Sequence, residues 1–147
     1  MFRNILVPTD GSPLSLRAVR QAVQFAKEQK ARVTGLHVVP PYDAGVRDEG
    51  SVLHYLSPQQ YAARSRAVAQ KHLAAVAKAA AAAGVRCELV QASGDYAFEE
   101  ILGTARRKRC DLIYMASHGR RGIARLLLGS ETSKVLAHSK IPVIVCK

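Results

Sequence analysis

Several common functional classes are missing from this sequence. No apolar run reaches the roughly 18–20 residues needed to cross a bilayer. The start has no basic segment, apolar stretch and cleavage site in series, so a cytoplasmic protein is expected. Cysteine is scarce: Cys87, Cys110 and Cys146 are far apart and no CxxC occurs. That argues against a disulfide framework, a zinc ribbon and a thioredoxin-type motif, and leaves reduced thiols. Aromatic residues make up 5% of the chain and form no basic–aromatic motif, which argues against a single-strand nucleic-acid reader. Neither GxxxxGK[ST] nor GxGxxG is present, so a Walker loop and the dinucleotide fingerprint are both excluded. No GxSxG nucleophile elbow occurs either.

What is present is positive charge and a regular alternation of apolar segments. The 147 residues carry 22 Lys and Arg against 11 Asp and Glu, a net charge of +11. Such a balance favours an anionic partner. The cations are spread from Arg3 to Lys147, and the densest run, Arg106 to Arg109, stands where a helix ends. Cations suit that end of the helix dipole, so the run reads as a solvated helix end rather than a nucleic-acid patch. Neither nucleic acid nor a membrane is the expected partner.

The apolar pattern gives the fold class. Phe2 to Val7 and Arg32 to Val39 read as strands, the first with a continuous Ile5-Leu6-Val7 run suited to burial on both faces. Ser12-Pro13 opens a helix to about Gln29, with Leu16, Val19, Val23 and Ala26 facing inward. His37 reads as a packed, hydrogen-bonded histidine. Pro40 to Ser57 has no clear period and reads as a surface loop, either a lid or a plain connection; His54 and Tyr55 form no metal spacing. Ser57-Pro58 opens a long helix to about Ala83, closed by Gly84, with a stripe at Tyr61, Ser65, Val68, His72, Val76, Ala79 and Ala83. A strand from Val85 to Gln91 follows. A helix then runs from Tyr96 to about Arg109, with Ile101, Leu102 and Ala105 inward. Leu112 to Ala116 is a short buried strand, a helix follows Gly129, and Ile141 to Cys146 closes the chain. The order βαβαβαβαβ predicts an α/β fold: a single, open, mainly parallel five-stranded sheet with helices on both faces. One domain spans 1–147, with no internal repeat.

The segment Asp111 to Thr132 concentrates the chemistry. The strand stops at Ser117-His118-Gly119, and nine residues later Gly129-Ser130 opens a helix. Free amides at a helix start and a glycine-bearing loop attract anions, and Arg120, Arg121 and Arg125 add positive field. A plain turn between strand and helix remains the other reading of the same residues. Asp10, at the carboxyl end of the first strand, stands where open α/β sheets bind ligands. Its carboxylate suits ribose hydroxyls, or else it caps the helix and ties the loop.

The segment resembles the nucleotide-binding signature of the universal stress protein family, Gly-x-x-Gly, nine residues, Gly-Ser/Thr. Gly119, Gly129 and Ser130 fit it, and Ala116 stands where the first glycine is expected. Ile5 to Ser12, Leu36-His37-Val38 and Ile141 to Val145 resemble the family's opening, second and closing strands, so the resemblance covers essentially the whole chain. It implies a Rossmann-like fold. It also implies an adenine nucleotide, ATP first, in a stress-response regulatory module. Pro8, Thr9, Asp10 and Val38 would surround the adenosine. Met115, Ala116, Ser117, His118 and Gly119 would form the first phosphate loop, completed by Gly129, Ser130, Glu131 and Thr132. Mg²⁺ or Mn²⁺ would bridge the phosphates. The resemblance further implies a homodimer through the closing strand, Ile141 to Cys146, whose uncharged edge needs cover. The alternative is the family's non-nucleotide branch, a dimeric module acting through protein contacts, which Ala116 keeps open.

Catalysis is not expected, although slow ATP hydrolysis or self-phosphorylation has been proposed in parts of the family. Ser117, His118 and Asp10 have the residue types of a hydrolytic triad. Neighbouring side chains of an extended loop point to opposite sides, however, so a Ser117–His118 bond is not expected.

Overall fold

The structure is a computed structural model and describes residues 1–42, 56–120 and 128–147. Arg121, Arg125, His54, Tyr55 and most of the stretch 40–57 lie outside the described residues.

Five strands and four helices alternate: β1 Asn4–Pro8, α1 Pro13–Gln29, β2 Arg32–Val39, α2 Pro58–Ala83, β3 Cys87–Ser93, α3 Ala97–Arg107, β4 Leu112–Ala116, α4 Ser130–His138 and β5 Val143–Cys146. Every strand pairing is parallel, and the sheet order is β3-β2-β1-β4-β5. The order reverses between β1 and β4. Crossovers therefore leave to opposite sides there, and a crevice opens at the carboxyl ends of those two strands.

The alternation of β1 supplies both cores. Ile5 and Val7 pack with Val19, Val23 and Val76 under α1 and α2. Leu6 packs with Leu36, Ile101, Ile113 and Val135 under α3 and α4. Each such fully buried aliphatic side chain contributes about 1.5–3 kcal/mol, which holds the central strands as a rigid floor for the crevice. Ser12 caps α1 by accepting the Ser15 N–H, and Ser57 with Gln60 forms a reciprocal capping box on α2.

Several expected boundaries shift for identifiable reasons. β1 begins at Asn4, because the Asp111 carboxylate takes the Arg3 and Asn4 amides at 2.8 and 3.0 Å. β3 begins at Cys87, because the Val85 amide closes the end of α2 on Ala80 O. α3 ends at Arg107, with Arg109 in the left-handed region at φ 52°. β5 begins at Val143: Pro142 lacks an N–H, and Ser139 ties the preceding turn to Ile141. On α2, Val68 is 41% exposed, and the buried stripe is Tyr61, Ala69, His72, Leu73, Val76 and Ala80. Tyr61, His72 and Val76 belong to both sets, while Ala69 and Ala80 take the buried places expected of Val68 and Ala79.

Candidate functional site

One side chain joins the two loops that face each other across the crevice. Asp10 Oδ1 accepts the Ser12 N–H at 2.9 Å, which shapes the turn into α1. Asp10 Oδ2 accepts the Arg120 N–H at 2.7 Å, which spans to the loop after β4. Gly119 makes that span possible, since a Cβ there would collide with Asp10 Oδ2. Its φ lies outside the left-handed region, so the glycine supplies room rather than an unusual conformation. Burial pushes the Asp10 carboxyl up, but hydrogen bonds from Ser12, Arg120 and Ser15 outweigh it and hold the pKa below its ordinary value. Asp10 is therefore a carboxylate at neutral pH. The two backbone amides each occupy a different oxygen of this carboxylate.

Thr9 builds the floor beside it. Its N–H donates to Leu36 O at 2.8 Å, and its hydroxyl lies 2.8 Å from Ser15 Oγ. Its carbonyl is 2.8 Å from His37 Nδ1. A carbonyl only accepts, so Nδ1 carries the proton and His37 is the packed histidine expected. His72 of α2 lies 4.9 Å from the His37 ring and rests against Gly11, whose φ of 76° and missing Cβ both suit that contact. Burial, then His37 and Arg120, hold His72 below its ordinary pKa, with Asp10 pulling the other way. The sequence marked His72 only as one member of a helical stripe. Its place under the first loop depends on how α2 packs on β2, which no local motif reports.

The start of α4 is held to β4 at two points. Gly129 N–H donates to Ser117 O at 2.7 Å, and buried Thr132 donates its hydroxyl to Ala116 O at 3.0 Å. Gly129 is the N-cap and offers no side chain. The amides of Ser130, Glu131 and Thr132 find no acceptor among the described residues. The other three helix starts are served by side chains: Ser12 for α1, Ser57 for α2, and Glu131 for α3. Glu131 Oε2 accepts the Phe98 N–H at 2.7 Å, and Lys134 lies 3.4 Å from Oε1. The one carboxylate at the start of α4 is thus turned away to cap its neighbour, and Glu131 offers the crevice its backbone alone.

Ala116 takes its place by strand alternation, and one expectation, on Ser117 and His118, is corrected. The Ala116 methyl packs with Ala18 and Cys146 on the α1 side of the sheet, while Met115 faces the core under α3 and α4. Strand alternation therefore turns the methyl toward α1 and away from α4. Ser117 Oγ also lies 3.1 Å from His118 Nδ1, although the two residues are neighbours. The chain bends at Ser117, so the alternation of an extended loop no longer applies. Ser117 is only 2% exposed, so this hydroxyl is not presented to a substrate.

The expected residues fall into three groups. Thr9, Asp10, Ser117, His118, Gly119 and Gly129 meet at the crevice, with Ser130 to Thr132 forming its helix end. Pro8 ends β1 opposite Leu36, and Val38 lies one strand out on β2, half-buried opposite Ala92. Met115 is buried and can offer a ligand only its backbone. Among the described residues no group of three or more His, Cys, Asp or Glu is placed to hold a metal. No described helix is long and apolar enough to cross a membrane.

A five-stranded parallel sheet with helices on both faces and a switch-point crevice at the carboxyl ends of β1 and β4 defines a Rossmann-like class of α/β proteins. Within that class the universal stress protein family model matches residues 1–147, and the chain belongs to that family. Universal stress protein MJ0531 of Methanocaldococcus jannaschii is 34% identical over 151 residues, covering 100% of this chain and 83% of that protein. The solved structure of MJ0577 from the same organism matches with a TM-score of 0.83 at 26% identity, over 100% of this chain and 96% of that one. A universal stress protein solved in complex with cAMP matches with a TM-score of 0.66 at 26% identity, over 98% and 95% of the two chains.

Proposed function

We propose that this protein is a stress-response regulatory module that binds an adenine nucleotide, ATP first, at the carboxyl edge of its sheet. The observation that carries the reading is the start of α4, where the amides of Ser130, Glu131 and Thr132 stand open among the described residues while the other three helix starts are served by side chains. Open amides with the positive end of the helix dipole suit phosphate. Asp10 has acceptor capacity left for ribose hydroxyls, and Pro8, Thr9 and Val38 line the way to β2 for the base. Mg²⁺ or Mn²⁺ would be held by the phosphates rather than by a protein cage. The related structure with cAMP supports an adenine nucleotide as the ligand class. On this reading the module acts by binding, and Ser117, which lies beside His118, is buried.

Two copies would pair through β5, which ends the sheet and carries Val143, Ile144 and Val145 half-buried. Sedimentation showing only monomer at micromolar concentration would contradict that pairing.

Calorimetric titration with ATP and Mg²⁺, beside AMP and GTP, tests the nucleotide reading. Micromolar ATP binding is expected, and Gly129→Val abolishes it because a side chain there presses on His118, 3.1 Å from a Cβ. A folded protein that gives no heat with any nucleotide refutes the reading and favours the branch of the family that acts through protein contacts.

A further inference from the structure

The excess of positive charge has a place in the fold. The start of β1 and every helix-to-strand turn lie at the amino edge of a parallel sheet, opposite the crevice. Arg3 precedes β1, Lys30 closes α1, Arg86 precedes β3, Arg109 precedes β4 and Lys140 precedes β5, and all five are exposed. None of them forms a salt bridge among the described residues. Between the ends of α1 and α2, Lys27, Lys30 and Arg86 border a cleft of about 280 Å³. Three acids stand near them: Asp111 accepts the Arg3 and Asn4 amides, Glu88 is paired with Lys108, and exposed Glu28 lies two residues before Lys30. Five of the 22 Lys and Arg, distant in sequence, therefore stand along one edge.

Backbone geometry gives a second, independent observation. Lys30 and Arg109 have φ of 55° and 52°, a region that penalises any residue with a Cβ. The equivalent turn after α2 uses Gly84, at φ 70°. All three turns close their helix with the same long backbone bond, Ala31 N–H to Ala26 O, Val85 N–H to Ala80 O and Cys110 N–H to Ala105 O, so capping sets the backbone, and Lys30 and Arg109 differ from Gly84 in carrying a cation where glycine is unstrained.

We propose that this amino edge binds the phosphate backbone of double-stranded nucleic acid without reading its sequence. Five strands at about 4.8 Å spacing make an edge about 19 Å across. A duplex carries one charge per about 1.7 Å of axis with both strands counted, so that span holds about eleven phosphates, roughly half of them on the near side. Arginine forks at Arg3, Arg86 and Arg109 suit phosphate oxygens. The exposed large apolar side chains among the described residues are Met1, Tyr42, Val68, Leu89, Tyr96 and Leu136, and only Met1 adjoins this edge. It therefore lacks the aromatic platform that single strands need and the apolar face that bilayer insertion needs. The proposal concerns the opposite edge from the nucleotide crevice and stands or falls without it.

A protein of this net charge binds polyanions weakly wherever its charges lie, so the test compares two variants of equal charge. One carries Lys30→Gly, Arg86→Gln and Arg109→Gly; the other carries Arg20→Gln, Arg64→Gln and Arg66→Gln, all three exposed helix positions. Binding to a labelled duplex of about 20 base pairs is followed by anisotropy across a salt series, beside a single strand of equal length and phosphatidylserine vesicles. The amino-edge variant should lose about tenfold or more at 0.1 M salt, with the log–log salt slope falling by about 2–3, and the control should lose less than about threefold. Equal losses in the two variants would overturn the proposal, as would tighter binding to vesicles or to single strand than to duplex. Should the amino-edge variant not fold, Arg3→Gln with Lys140→Gln against Arg20→Gln with Arg64→Gln makes the same comparison.

Discussion

At the carboxyl edge of the sheet Asp10 spends both oxygens on backbone amides, while at the amino edge Lys30 and Arg109 hold exposed cations in left-handed turns. The difference follows from the chirality and direction of a parallel sheet. Helix starts and their free amides gather at one edge, helix ends at the other. At the carboxyl edge the polarity comes from the main chain, is held at fixed distances, and depends on small residues that let loops approach. At the amino edge it comes from long side chains on the surface. The first arrangement suits a small anion in a defined pose, and the second a diffuse polyanion.

Disturbing the close approach at the crevice should have the largest effect. Gly119→Val drives a side chain into Asp10, opens the bridge to Arg120, and is expected to cost about 3 kcal/mol in chemical denaturation and to remove nucleotide binding. Asp10→Asn keeps one acceptor oxygen and should cost about 2 kcal/mol at pH 7. The pH dependence has a definite sign. The folded pKa of Asp10 is lowered, so its contribution is full above the ordinary carboxylate value and is lost as pH falls through the folded one. The gap between wild type and Asp10→Asn should therefore be constant above about pH 5 and shrink in acid, below about pH 4. A gap that widened in acid would mean that Asp10 is not held as a carboxylate.

Glu131→Ala leaves the Phe98 N–H without its carboxylate and should cost about 1 kcal/mol, with Glu131→Gln recovering part of it. The smallest effect has the opposite sign. Lys30→Gly relieves a left-handed residue at the amino edge and should stabilise the fold by about 0.5 kcal/mol, seen as a rise in denaturation midpoint with nucleotide affinity unchanged. Loss of stability in that variant would show that Lys30 is held there by packing rather than by charge.

Much of this fold was readable in the sequence, because its signals are local. The apolar runs of β2 and β4 end where their strands end, and Ser-Pro pairs mark the starts of α1 and α2. The crevice residues of the two loops were legible through glycine spacing and the position of Asp10. What escaped depends on distant partners. Asp111 shortens β1 from more than a hundred residues away, Glu131 caps a different helix, and the Ala116 methyl turns toward α1. The amino-edge cations belong here too, since only the parallel topology brings Arg3, Arg86 and Lys140 to one face.

The most direct measurement is backbone amide chemical shift during titration with ATP and Mg²⁺. Open amides at the start of α4 should take the phosphates, so the Ser130, Glu131 and Thr132 signals should shift saturably, with Gly119 following and Lys30, Arg86 and Arg109 unmoved. Shifts confined to the amino edge, or none at Ser130 to Thr132 at saturating nucleotide, would contradict it.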